Sequence, residues 1–152
     1  GAIKYFDLSQ NRTSPIIFEW EKVLSFEGNT GPYLQYTYAR IKSIFRKFKE
    51  ENIEYTKNSK IILESDIEKD LALVLLNFPN VVVKAAESYR PNLIADYLFE
   101  TARAFNTFYN SKSILKEENK DIMNSRITLS DKTAYILKTG LDLLGIKTVD
   151  RM

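Results

Sequence analysis

Tyr33, Tyr36, Arg40 and Lys47 are the residues whose types and spacing could do chemistry in this chain. At about 100° per residue they share one helical face. Aromatic rings beside cations, away from a core face, suit a surface that stacks unpaired bases and neutralises phosphate. The same pattern also fits tyrosines half-buried at a helix edge with snorkelled cations around them. Lys42, Arg46 and Lys49 add generic attraction for phosphate and equally fit ordinary solvated charge.

Much other chemistry is excluded. The chain has no histidine and no cysteine. It therefore has no Ser-His or Cys-His nucleophile pair, no histidine base, no Cys/His zinc site and no disulfide framework. Carboxylate pairs remain, but Glu19 and Glu21 diverge on a helix, and nothing around Glu50 and Glu54 would raise a pKa. The 22 basic and 20 acidic residues leave a net charge of only +2. An anion would thus be held by a local patch.

The element that must position the tyrosines is the stretch Ser25 to Lys47, around which the chain reads as organised. Gly28, Asn29, Gly31 and Pro32 mark a loop. Thr30 is placed to cap a helix, and Pro32 suits its first turn. Along that helix Leu34, Tyr38, Ile41, Phe45 and Phe48 make the core face, roughly 130° from the tyrosine stripe. As a phosphate cradle the glycines are weak, because Pro32 removes a donor.

The rest of the chain supplies partners for that core face. The first ten residues show no helix start, and Asn11 to Pro15 reads as a turn. Phe18 to Leu24 fits two helical turns with Phe18, Val23 and Trp20 inward. Ile53 to Leu63 is a polar connector. Ser65 and Glu68 make a capping box, opening a helix with Leu71, Val74, Leu75 and Phe78 on one face. Asn80 to Tyr89 reads as helix despite Val81-Val82-Val83. Pro91 opens a longer helix through Tyr109, with Ile94, Leu98, Ala102 and Phe105 inward. Asn110 to Ser125 is a charged connector. The last helix runs from Arg126 to Leu144, buries Thr133, Leu137, Gly140, Leu141 and Leu144, and stops at Gly145.

At 152 residues, 44% of them hydrophobic, this is one soluble-type domain with a proper core. Its apolar runs are too short to span a bilayer, and no secretory signal pattern opens it. The fold class is all-α: an up-and-down helical bundle of about five main helices. No Walker loop, dinucleotide fingerprint or calcium loop is present.

The residues themselves say more. Leu24 to Lys47, LSFEGNTGPYLQYTYARIKSIFRK, closely resembles the start of the C-terminal anticodon-binding (DALR-type) domain of arginyl-tRNA synthetases. Leu141 to Met152, LDLLGIKTVDRM, resembles the C-terminus of that family. Leu93 to Tyr109 is similar to its long helix, and Ala2 to Arg12 to its junction with the catalytic domain. The resemblance implies a junction over residues 1–14 to an upstream catalytic domain and an anticodon-binding domain over 15–152. It implies a class I synthetase parent, cytoplasmic and monomeric, using ATP and arginine with magnesium. The nucleotide-binding signature of that family needs histidines, so this chain is expected to bind neither ATP nor arginine.

By the same resemblance, the partner is the anticodon loop of tRNA-Arg. Tyr33, Tyr36 and Arg40 fall where the family contacts that loop, as do Tyr109 and the terminal Met152. At Ser113 the match departs from the family's aromatic residue, and no contact is carried over. Trp20, Phe18 and the first dozen residues are expected to leave an apolar patch facing the catalytic domain. The competing readings are a helical protein–protein interaction module, with Tyr33, Tyr36 and Trp20 as anchors, and a carboxylate enzyme.

Overall fold

The computed structural model describes residues 1–11 and 17–152. Among these the chain forms seven helices and no strand: α1 (Ala2–Ser9), α2 (Trp20–Val23), α3 (Gly31–Glu50), α4 (Asp66–Leu76), α5 (Phe78–Ser88), α6 (Asn92–Ser111) and α7 (Lys120–Leu143). α3 to α7 are the five main helices of the expected all-α bundle. The turn expected at 11–15 lies, apart from Asn11, outside the described residues.

The helix α3 begins as its sequence dictates. Thr30 Oγ1 accepts from the Tyr33 amide at 3.2 Å, with Pro32 in the first turn. Leu34, Tyr38, Ile41 and Phe48 are buried as expected. Ile44 joins them, whereas Phe45 is only half-buried. Phe45 turns aside to Tyr55, 6.0 Å away between ring centroids, and lies under the Lys57 ammonium at 4.7 Å.

The centre of the bundle is α6 rather than α3. It packs against α1, α3, α4, α5 and α7. Its buried stripe contains Ile94, Leu98, Ala102 and Phe105, the residues whose spacing selected them. The closest approach is to α7 at Gly140, where a Cβ would lie 2.5 Å from Leu98 Cδ2. A side chain there has no room, and the glycine lets the two long helices touch.

Two N-terminal expectations change. Residues 2–9 form a helix, and its buried residue is Tyr5, whose hydroxyl reaches Asn29 Oδ1 at 2.5 Å and the Ala95 carbonyl at 2.9 Å. Burial, with Asp96 nearby, pushes the Tyr5 pKa up. One buried aromatic and a close fit over Gly31 fix this helix, which is why apolar periodicity missed it. The segment from Phe18 forms a single turn, α2, in which only Val23 is buried. Phe18 and Trp20 are exposed and stack edge to face at 4.9 Å, with Phe6 continuing the row at 5.3 Å from Phe18.

The middle of the chain is helical, including Val81-Val82-Val83. Ser65 and Glu68 complete their capping box. Phe78 does not extend α4; it opens α5 and stacks on Tyr97 at 5.7 Å. Through Asn77, α4 and α5 run on as Asp66–Ser88, a 23-residue stretch with the length and composition to cross a membrane. Here it is a layer of the bundle: Tyr97 Oη donates to the Val74 carbonyl at 2.8 Å, and Glu68 is bonded to α7.

Helix α7 starts six residues before Arg126, the expected first residue. Asn119 Oδ1 accepts from the amides of Asp121, at 3.0 Å, and Ile122, at 3.3 Å. Arg126 is buried among acids, donating to Glu68 at 2.9 Å and Glu117 at 2.6 Å. Burial alone would raise the Glu68 pKa, but hydrogen bonds from Arg126 and Ser65 hold the carboxyl below its usual range. Glu117, in the connector read only as charged, is thus an internal ligand of Arg126. The last helix buries Thr133, Leu137, Gly140, Leu141 and Leu144 as expected, and Gly145 ends it at φ +67°.

The connector over 53–64 carries no helix, and α7 satisfies its backbone. The amides of Thr56, Ser59 and Ile62 donate to Asn124 Oδ1, Thr128 Oγ1 and Ser125 Oγ at 2.8, 3.2 and 2.8 Å. The Ser125 hydroxyl returns a bond to the Ile62 carbonyl at 3.0 Å. This gives two of the buried hydroxyls of α7, Ser125 and Thr128, a partner in the connector, while Ser130 and Thr133 donate to carbonyls of α7 itself.

Candidate nucleic-acid interface

Four of the six residues selected from the sequence meet where α3 lies against α6. Arg40 sits at the middle. Its guanidinium carbon is 4.8 Å from the Tyr36 ring centroid and 5.4 Å from that of Tyr109. Nη2 donates to Tyr36 Oη at 3.1 Å and Nη1 to Asn106 Oδ1 at 2.8 Å. Asn106 Nδ2 donates to Tyr33 Oη at 2.8 Å. The helical register of α3 supplies Tyr33, Tyr36 and Arg40, and that of α6 supplies Asn106 and Tyr109 three residues apart.

More aromatic surface extends on either side. Phe26, from the loop before α3, stands 6.2 Å from Tyr36. Tyr33 meets Phe99 at 5.7 Å, and the Arg103 guanidinium lies 5.9 Å from the Phe99 centroid. Tyr36 and Phe26 are exposed, while Tyr33, Arg40 and Tyr109 are partly or largely buried. The rings are fixed edges, and the Arg40 cation already stacks on two of them. Such a surface can take planar, unpaired bases and their phosphates.

Lys47 and Met152 lie outside that set of contacts. Lys47 is two turns further along α3, about 10 Å by the rise of a helix. It is exposed and makes no ion pair among the described residues. The C-terminal tail is held against α3. Gln35 Nε2 donates to the Lys147 carbonyl and Arg46 Nη1 to the Asp150 carbonyl, each at 2.7 Å. Met152 is exposed two residues beyond, at most about 7 Å of chain. Of the other cations, Arg46 is engaged with the tail and Lys42 lies over the Tyr38 ring at 5.6 Å.

The sequence reading missed Asn106, Phe26, Phe99 and Arg103. A signal for three of them was present: Phe99, Arg103 and Asn106 recur at helical spacing and repeat on α6 the aromatic–cation stripe of α3. Phe26 stood in a loop, where periodicity has nothing to say.

The chain matches known proteins over its whole length. The family model described as the DALR anticodon binding domain covers residues 34–152. The chain belongs to the DALR anticodon-binding domain family. It is 56% identical, over its whole length, to an arginine–tRNA ligase of Fusobacterium nucleatum. It is 46% identical to one from Escherichia coli O139:H28, again over its whole length. The chain spans 26% of each of these relatives. Among solved structures it superposes on Thermus thermophilus arginyl-tRNA synthetase with a TM-score of 0.87 at 34% identity, covering all of this chain and 26% of that one. For the Plasmodium falciparum arginyl-tRNA synthetase the TM-score is 0.82 at 32% identity, covering 99% and 26%.

Proposed function

We propose that this chain is the anticodon-binding domain of an arginine–tRNA ligase, gripping the anticodon loop of tRNA-Arg through Tyr33, Tyr36, Arg40 and Tyr109. The observation that carries this is Arg40, set against two tyrosine rings on the surface of a domain of this family. Lys47 adds phosphate attraction along α3, and Met152 closes the surface from the tail. A single-stranded loop offers splayed bases, and each base stacked on a ring is worth on the order of 1–3 kcal/mol.

The parent enzyme is a cytoplasmic class I synthetase whose catalytic domain handles ATP and arginine with magnesium. The row of Phe6, Phe18 and Trp20 is the face that meets the catalytic domain, with residues 1–14 as the junction.

Titration with an arginine-tRNA anticodon hairpin, beside a copy with the middle anticodon base changed, at two salt concentrations, tests the reading. Salt-sensitive binding that prefers the native loop is expected. Equal binding to both hairpins reduces the surface to a nonspecific basic patch. Absence of binding leaves the stripe as a protein-recognition face, the competing reading.

A further inference from the structure

The hydrogen bonds behind the tyrosines have a direction, and Arg40 sets it. A guanidinium only donates. The Asn106 atom 2.8 Å from Arg40 Nη1 is therefore the amide oxygen. That turns the amide nitrogen to Tyr33 Oη at 2.8 Å and Thr37 Oγ1 at 3.3 Å. The Thr37 hydroxyl gives its own hydrogen to the Tyr33 carbonyl at 3.0 Å. Tyr33 Oη thus receives from Asn106, and its own hydrogen meets no acceptor among the described residues. Tyr36 Oη receives from Arg40 Nη2 at 3.1 Å and is in the same position.

Resting on the function proposed above, we infer that Asn106 is a positioning residue that turns the Tyr33 hydroxyl hydrogen outward, so that Tyr33, Tyr36 and Arg40 present donors only. The site then selects an unpaired nucleotide through acceptors: the carbonyl and ring nitrogen of a base edge, or phosphate oxygens. Packing alone does not require this. A half-buried residue between two helices needs bulk, whereas this role needs a donor and an acceptor on one planar group.

The test compares Tyr33→Phe in two backgrounds. In Asn106→Asp the carboxylate still accepts from Arg40 but has no hydrogen for Tyr33, whose hydroxyl then donates inward. Affinity for the anticodon hairpin is measured for the chain, each single variant and the double variant, with thermal melting as the check on folding. Tyr33→Phe is expected to weaken binding roughly tenfold in the native background, the size of one hydrogen bond, and less than about twofold in the Asn106→Asp background. Comparing within each background cancels the charge that the carboxylate adds.

An equal Tyr33→Phe factor in both backgrounds overturns the inference while leaving the function standing. Failure of the unsubstituted chain to bind overturns the function itself. Should Asn106→Asp not melt like the parent, Asn106→Glu replaces it, whose carboxylate also accepts from Arg40 and from the Tyr33 hydroxyl, and the Tyr33→Phe factor again shrinks. A copy of the hairpin with the middle base changed separates the two acceptor sources. A Tyr33→Phe penalty confined to the native hairpin points to a base edge, and one shared by both hairpins to phosphate. Either supports the donor-only site.

Discussion

Arg126 Nε donates to Glu68 Oε1 at 2.9 Å, joining the first turn of α4 to α7 with both side chains buried. Removing Arg126 leaves the buried Glu68 carboxylate without its cation, whereas removing Glu68 leaves Arg126 still paired with Glu117. Arg126→Met is expected to cost about 3–5 kcal/mol, and Glu68→Gln less, read by urea denaturation. The double variant Arg126→Met/Glu68→Gln is expected to lose less than the sum of its parts.

The same pair sets a response to acid. The Glu68 carboxyl is held below its usual range in the fold, so its contribution is complete above the unfolded value of about 4.3. It is lost as pH falls through the lower folded value. The urea midpoint of the native chain should fall between neutral and acid pH more steeply than that of Glu68→Gln. Equal slopes would show that other carboxyls govern acid unfolding.

Tyr36 and Arg40 belong to the surface, and their loss should be felt in binding. Tyr36→Ala or Arg40→Ala is expected to weaken anticodon-arm binding by about 1–3 kcal/mol while the helical circular dichroism stays intact. A collapse of that signal would place these residues in the core. Arg40→Lys should restore little, since an ammonium cannot serve Asn106 and Tyr36 as a planar fork.

Lys47 is exposed and stands apart from the ring cluster. Lys47→Ala is expected to weaken binding to both hairpins alike and to lower the slope of log K against log salt by about 1. A change in preference between hairpins would give it a role in reading bases.

Gly140→Ala probes the contact of α6 with α7. The added methyl meets three atoms of Leu98, at 2.5, 2.9 and 3.0 Å, in the fully buried core. Overpacking costs typically about 1–3 kcal/mol, against a helix-propensity gain of about 1 kcal/mol. A net loss of melting temperature is expected, and Leu98→Ala combined with it should cost less than the two changes summed.

Helices α3, α4 and α7 were legible because each carries a stripe and local chemistry that marks one end. Thr30 with Pro32, Ser65 with Glu68, and Gly145 mark ends by local chemistry, and Leu34, Leu98 and Leu137 mark faces by spacing. What escaped depended on contacts distant in sequence. α1 is held by Tyr5 against Asn29 and Ala95, and Glu117 is engaged by Arg126. In the site, the α3 stripe was readable from one helix, and resemblance added Tyr109. Asn106 joins the two helices, and no single-helix pattern contains that junction.

The connector over 53–64 has a consequence for motion. Its amides at Thr56, Ser59 and Ile62 are held by side chains of α7 and not by a ladder of its own. In hydrogen exchange such a segment behaves as part of the helix that holds it. Those three amides should exchange with the protection of α7, far more slowly than their irregular backbone suggests, and open together with it as one cooperative unit.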